Sequence, residues 1–104
     1  MIAMIFEFWF DPGDPAAHRE YLAESDRLRA LLPTIRGLEK IEKFQSVSDP
    51  HRYVAIAAFE DEASVAAWRR NQDHRRAQEL GRDRFFAGYR LRMAEVVRDY
   101  GLEA

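Results

Sequence analysis

Residues 1–10, MIAMIFEFWF, constrain the fold of this chain more than any other stretch, because they leave no polar side. Successive side chains of an extended strand point to opposite faces. That sets Ile2, Met4, Phe6, Phe8 and Phe10 on one face and Ala3, Ile5, Glu7 and Trp9 on the other. A strand apolar on both faces needs cover on both. The run DPGDP at 11–15 then stops the strand with turn residues and offers Asp14 as a helix N-cap, with Pro15 at the first helical position.

From there Ala17, Tyr21, Leu28, Leu32 and Ile35 recur at helical spacing, widened by Leu22 and Leu31, and predict an amphipathic helix ending near Pro33. Gly37 opens an extended segment over 38–47 that carries charge on both faces, and SDPH at 48–51 reads as a hairpin turn. The returning strand, 53–59, is small and apolar through Ala55, Ile56, Ala57 and Ala58, which lets helices or a ligand come close. Asp61 is placed to cap a second helix. A last strand over 89–97 puts Tyr89, Leu91, Met93 and Val97 on one face and Arg90, Arg92, Ala94 and Val96 on the other. The order strand, helix, strand, strand, helix, strand is the α+β, ferredoxin-like βαββαβ plan with an antiparallel sheet. A lone domain of that plan covers one sheet face only, so the first strand predicts a second body on the other.

Composition narrows the function. A chain of 104 residues is expected to form one domain over 1–104, and at this size it buries roughly two thirds of its unfolded surface. Without cysteine it has no disulfide, no thiolate nucleophile and no zinc-thiolate site. Sixteen basic against eighteen acidic residues give a net charge of −2, with no global pull toward nucleic acid or an anionic membrane. Arg69, Arg70, Arg75, Arg76, Arg82 and Arg84 are interleaved with Asp73, Glu79 and Asp83, as on a solvated helix face laced with ion pairs. Residues 1–10 are too short to span a bilayer and do not read as a leader, so a cytoplasmic location is expected. Three scattered histidines lack metal-ligand spacing, and no phosphate loop or nucleophile elbow is present. A flavin or nicotinamide domain does not fit a pattern of this length.

The stretch 65–89 concentrates the residues that can touch a ligand. Ala63, Ala66, Ala67 and Trp68 start a helix that the cluster 69–72 is expected to bend; Ala77, Gln78 and Leu80 continue it to a C-cap at Gly81. Trp68, His74 and Gln78 then project toward a space that Phe85, Phe86 and Tyr89 reach from beyond the helix. His74 can exchange protons near neutral pH or simply sit exposed on its helix. Trp68 can line a ligand or pack on the sheet. Glu7, among Phe6, Phe8 and Trp9, is costly to bury unless paired or protonated. In a cavity it suits a general acid or base; paired with Arg90 or Arg92 it is an anchor.

Trp68-Arg69, His74-Arg75, Ala77-Gln78, Gly81-Arg82, Phe86, Tyr89-Arg90-Leu91 and the run VRDY at 97–100 resemble the antibiotic biosynthesis monooxygenase family. The opening strand and residues 37–46 fit as well. The resemblance implies a dimeric α+β barrel, in which a second copy covers the open sheet face. It also implies a cofactor-independent monooxygenase that oxidises quinol or anthrone-like substrates, whose deprotonated form passes an electron directly to O₂. On that reading Ile5, Trp9, Trp68, Gln78, Phe86 and Tyr89 line the cavity, His74 or Glu7 is the base, and Arg90 or Arg92 holds the anion. In the family's heme-degrading branch a strand-one asparagine faces the pocket and the iron-ligating histidine comes ten residues after the tryptophan. Glu7 and Gln78 occupy about those positions here, and His74 lies one turn before Gln78, about 6 Å along the axis. Glutamine is a poor iron ligand, so heme ranks second. The competing class is a dimeric barrel that binds a small ligand without turning it over.

Overall fold

The computed structural model describes residues 1–29, 35–78 and 85–102, without the side chains of 27–29 and 71–78. The elements follow in the expected order: β1 (Ile2–Trp9), α1 (Pro15–Arg29), β2 (Leu38–Gln45), β3 (Arg52–Phe59), α2 (Glu62–Gln78) and β4 (Gly88–Glu95). The strands form one antiparallel sheet in the order β2-β3-β1-β4, the ferredoxin-like arrangement. β1, the most apolar strand, is a central one. Its neighbours pair in simple register, Phe8 lying opposite both Tyr53 and Tyr89, and Glu7 opposite both Val54 and Arg90.

Both helices lie on one face of the sheet. Their contacts name it: Val65 of α2 is buried with Ile2, Met4, Ala57 and Phe59, and Trp68 packs on the same cluster. Tyr21 of α1 joins a second cluster built on Phe8, Phe10, Ala55 and Phe86, and Phe6 touches both. The even residues of β1 therefore face the helices. Ala55 and Ala57 are small enough to let large rings approach the sheet there.

Local chemistry sets the ends. Asp14 accepts a hydrogen bond from the Ala17 amide at 3.2 Å, as the N-cap of α1. Asp61 accepts from the Ser64 amide and hydroxyl, each at 2.8 Å, at the start of α2; those bonds hold its carboxyl below the usual range. Gly37 sits at φ +81°, the left-handed region, and a Cβ there would lie 1.8 Å from Ser64 Oγ. Only glycine fits, and the start of β2 thereby rests on the first turn of α2. One expectation changes: α2 runs from Glu62 to Gln78 as a single helix, with no break at 69–72. Leu80 and Gly81 lie outside the described residues.

The opposite face carries no helix. Three rows cross it from β2 to β4: Lys40, Ala58, Ala3, Ala94; then Glu42, Ile56, Ile5, Arg92; then Phe44, Val54, Glu7, Arg90. Its middle is apolar except for Glu7, and its rims carry Lys40, Glu42, Arg90 and Arg92. Ile56 and Phe44 are each 44% exposed, which is unusual for large apolar side chains on a sheet.

Candidate functional site

Sheet parity divides the expected site residues between two faces. Trp68, Phe86 and Tyr89 belong to the helical side; Ile5, Glu7, Trp9, Arg90 and Arg92 belong to the open side. The sheet lies between Glu7 and α2, so the single pocket expected to join them does not form within one chain. The reason lies in β1 itself: apolar on both faces, it gives no cue to which face the helices take.

On the open side Glu7 is paired with an arginine. Its carboxylate accepts from Arg92 Nη1 at 3.3 Å, with both side chains about half exposed. Such a pair adds little stability but fixes both groups across the strands. Trp9 lies flat over Gly88, where a Cβ would come within 2.5 Å of the indole, and Arg52 stacks on the ring at 4.5 Å. Between them a shallow depression of about 190 Å³ is bordered by Glu7, Phe44, Arg52 and Val54.

On the helical side the wall is aromatic. Phe86 stands 4.9 Å from Phe8, 5.0 Å from Tyr21 and 5.9 Å from Phe6, centroid to centroid, and Tyr89 stands 5.7 Å from Phe6. Trp68 packs on Phe59 at 5.8 Å. Among the described residues no polar or charged side chain is buried, whereas Tyr89 and Leu91 remain 42% exposed on this face. An apolar wall is thus partly exposed beside Phe6 and Phe86. The side chains of His74 and Gln78, on the last turns of α2, lie outside the described residues.

His18 on α1 and His51 in the β2–β3 turn are two of the three histidines scattered along the sequence, and the fold brings them together. His18 Nε2 is 2.8 Å from the Tyr53 hydroxyl, its ring is stacked on Phe10 at 4.3 Å, and the His51 ring is 5.9 Å away. Burial, then the neighbouring His51, holds the His18 pKa below its ordinary value, and burial pushes the Tyr53 phenol up. At neutral pH this is a neutral imidazole beside a protonated phenol. The linkage has a definite sign: because the unfolded chain takes up the His18 proton first, stability is full above about pH 6.5 and falls as pH drops through the folded-state value. Urea midpoints measured between pH 7.5 and 5 should decline in the wild type and flatten in His18→Gln; parallel curves would count against the linkage.

The sequence model of a family described as antibiotic biosynthesis monooxygenase matches residues 1–80. Jasmonate monooxygenase ABM of Pyricularia oryzae is 33% identical over 96 residues, 92% of this chain. The chain belongs to the antibiotic biosynthesis monooxygenase family. It spans 43% of the length of the Pyricularia protein, less than half. Solved structures share the fold at low identity. The heme-degrader MhuD of Mycobacterium tuberculosis, with two hemes bound in its active site, superposes with a TM-score of 0.72 at 18% identity, over 97% of this chain and all of that one. A Deinococcus radiodurans protein gives 0.73 at 10% identity, covering both chains fully. A conserved protein of Methanosarcina mazei gives 0.72 at 13%, covering 89% of each. No helix among the described residues is long and apolar enough to cross a membrane.

Proposed function

We propose that this chain is a cofactor-independent monooxygenase that oxidises an electron-rich aromatic, of the quinol or anthrone type, with O₂. The observation that carries the proposal is the partly exposed aromatic wall of Phe6, Phe86, Tyr89 and Leu91 on the helical face of the sheet, in a family of monooxygenases. An apolar wall favours a flat uncharged ring and excludes water from the reactive anion. The substrate supplies the electrons, and the protein supplies the cavity and a proton acceptor. That acceptor is His74 of the helical layer; Glu7, across the sheet and tied to Arg92, anchors the open face.

Likeness to MhuD favours heme degradation as a second reading. The described residues fit heme poorly: the helical face of β1 presents Phe6 and Phe8, Phe86 packs closely against both, and Glu7 points away. One experiment separates the readings. Oxygen uptake is followed with a panel of hydroquinones and anthrones on wild type, His74→Ala, Tyr89→Ala and Glu7→Gln, beside a hemin titration. The expected result is turnover that drops about a hundredfold or more in His74→Ala, the lower end for one acid–base group, falls in Tyr89→Ala and persists in Glu7→Gln. A sharp one-to-one Soret shift would put heme first, and negligible uptake throughout would leave a ligand-binding module.

The open face is proposed as the contact of a homodimer. Its apolar centre needs cover, and a two-fold axis can bring the Glu42 rim of one copy to the Arg90 and Arg92 rim of its partner.

A further inference from the structure

We propose that Tyr53 is a redox-active tyrosine that surrenders its phenolic proton to His18, at the end of a row of rings leading from the oxygenation wall. The inference goes beyond the monooxygenase reading and draws on it only for the natural oxidant.

The direction of the proton follows from the hydrogen bonds. Gln45 Nε2 donates to the Pro50 carbonyl at 2.9 Å, which fixes the orientation of that amide, and its second N–H reaches the Tyr53 oxygen at 3.3 Å. The phenol oxygen therefore already accepts one bond. Its own proton has one acceptor among the described residues, His18 Nε2 at 2.8 Å, which makes the neutral imidazole the Nδ1–H tautomer. Oxidised phenols are strongly acidic, so a tyrosine gives up an electron most readily where a base is already bonded to take the proton. The depressed basicity of His18 keeps that nitrogen unprotonated at neutral pH. The imidazole is partly exposed, so the proton can pass on to water.

The ring path is continuous. Tyr89 meets Phe6 at 5.7 Å, Phe6 meets Phe8 at 5.2 Å, and Phe8 and Tyr53 are stacked at 5.5 Å with planes 7° apart. Tyr53 and Tyr89 both lie opposite Phe8 in register, so they are two strand spacings apart, roughly 10 Å. That is short enough for an electron to cross a bridge of aromatic rings without oxidising the phenylalanines.

In the step, Tyr53 passes one electron to a one-electron oxidant of the peroxyl or protonated superoxide class formed at the wall, which is reduced to the hydroperoxide level by that electron. The O–H bond breaks, a bond from His18 Nε2 to the proton forms, and a neutral tyrosyl radical beside an imidazolium remains. A thiolate returns the electron, becoming a thiyl radical, as His18 returns the proton. Tyr53 would thus draw stray oxidising equivalents away from Trp68 and the wall.

A dissolved ruthenium tris-bipyridine photo-oxidant with persulfate tests this without any oxygenase turnover. Tyr100, 89% exposed, and Tyr89, 42% exposed, both compete for such a reagent, so the background is Tyr89→Phe with Tyr100→Phe. Tyrosyl radical is read by transient absorption and electron paramagnetic resonance. The expected result is a signal that falls to a minor residue in Tyr53→Phe. In His18→Gln the radical should form more slowly and lose its solvent deuterium effect. The yield should also decline as His18 is protonated at acid pH; the titratable groups facing it are Tyr53 of β3 and His51 with Asp49 in the β2–β3 turn. An unchanged radical yield in Tyr53→Phe, or an unchanged rate in a folded His18→Gln, overturns the inference. A radical at Tyr53 in a protein that consumes no oxygen with any substrate sustains it while removing the monooxygenase reading.

Discussion

Ile56→Asp is expected to convert the protein from dimer to monomer at micromolar concentration without unfolding it. Ile56 stands on the open face, 44% exposed, beside Ile5 in the row that runs from Glu42 to Arg92. If a second copy covers that face, the two-fold brings the apolar rows of both copies together, and one substitution changes both sides of the contact. A carboxylate buried there without a partner costs several kcal/mol, and at about 1.4 kcal/mol per factor of ten the dissociation constant should rise a hundredfold or more. The fold should survive, because the side chain points away from the helices and the core. Sedimentation velocity with circular dichroism on wild type and variant reads both effects. A wild type that sediments as a well-folded monomer removes the dimer, and a variant that keeps the dimer mass moves the contact elsewhere.

Much of this architecture is legible in the residues, and the part that is not has a physical cause. Turn chemistry at 11–15 and 48–51 and the caps Asp14 and Asp61 punctuate the chain strongly enough to place all six elements. Facing is harder. In β4 the alternation of Tyr89, Leu91 and Met93 with Arg90 and Arg92 marks its two sides, whereas β1 is apolar on both and its sides are interchangeable until packed. That ambiguity put Glu7 and Trp68 in one pocket. The ion pair shows a second limit: Arg90 lies directly opposite Glu7, yet the carboxylate reaches Arg92, a diagonal neighbour that is farther across the strands but within reach of a long side chain. The His18–Tyr53 pair was hidden by 35 residues of separation. A cue existed, since the end of β1 and the start of β3 lie side by side at one end of the sheet and the first turns of α1 follow β1 closely.

Phe8→Ala is expected to remove a large share of the folding free energy. The ring has no accessible surface and lies within 6 Å of five others: Phe86 at 4.9 Å, Phe6 and Tyr21 at 5.2 Å, Tyr53 at 5.5 Å and Phe10 at 5.9 Å. Truncation deletes the transfer energy of the ring and leaves a hole that this wall can only partly fill, because the sheet backbone fixes Phe6, Tyr53 and Phe10. Phenylalanine-to-alanine changes in such cores cost about 3–5 kcal/mol, against a total of about 5–15 kcal/mol for an ordinary domain. Val97→Ala is the matched control: 85% exposed, it should change stability by no more than about 0.5 kcal/mol. Urea unfolding at one fixed protein concentration, so that subunit association contributes equally, measures both. A Phe8→Ala loss under about 1 kcal/mol, far below the core range, would show that the hub of the aromatic wall is loosely packed. The same looseness would undercut the stacked contact between Phe8 and Tyr53 on which the proposed electron passage to Tyr53 rests.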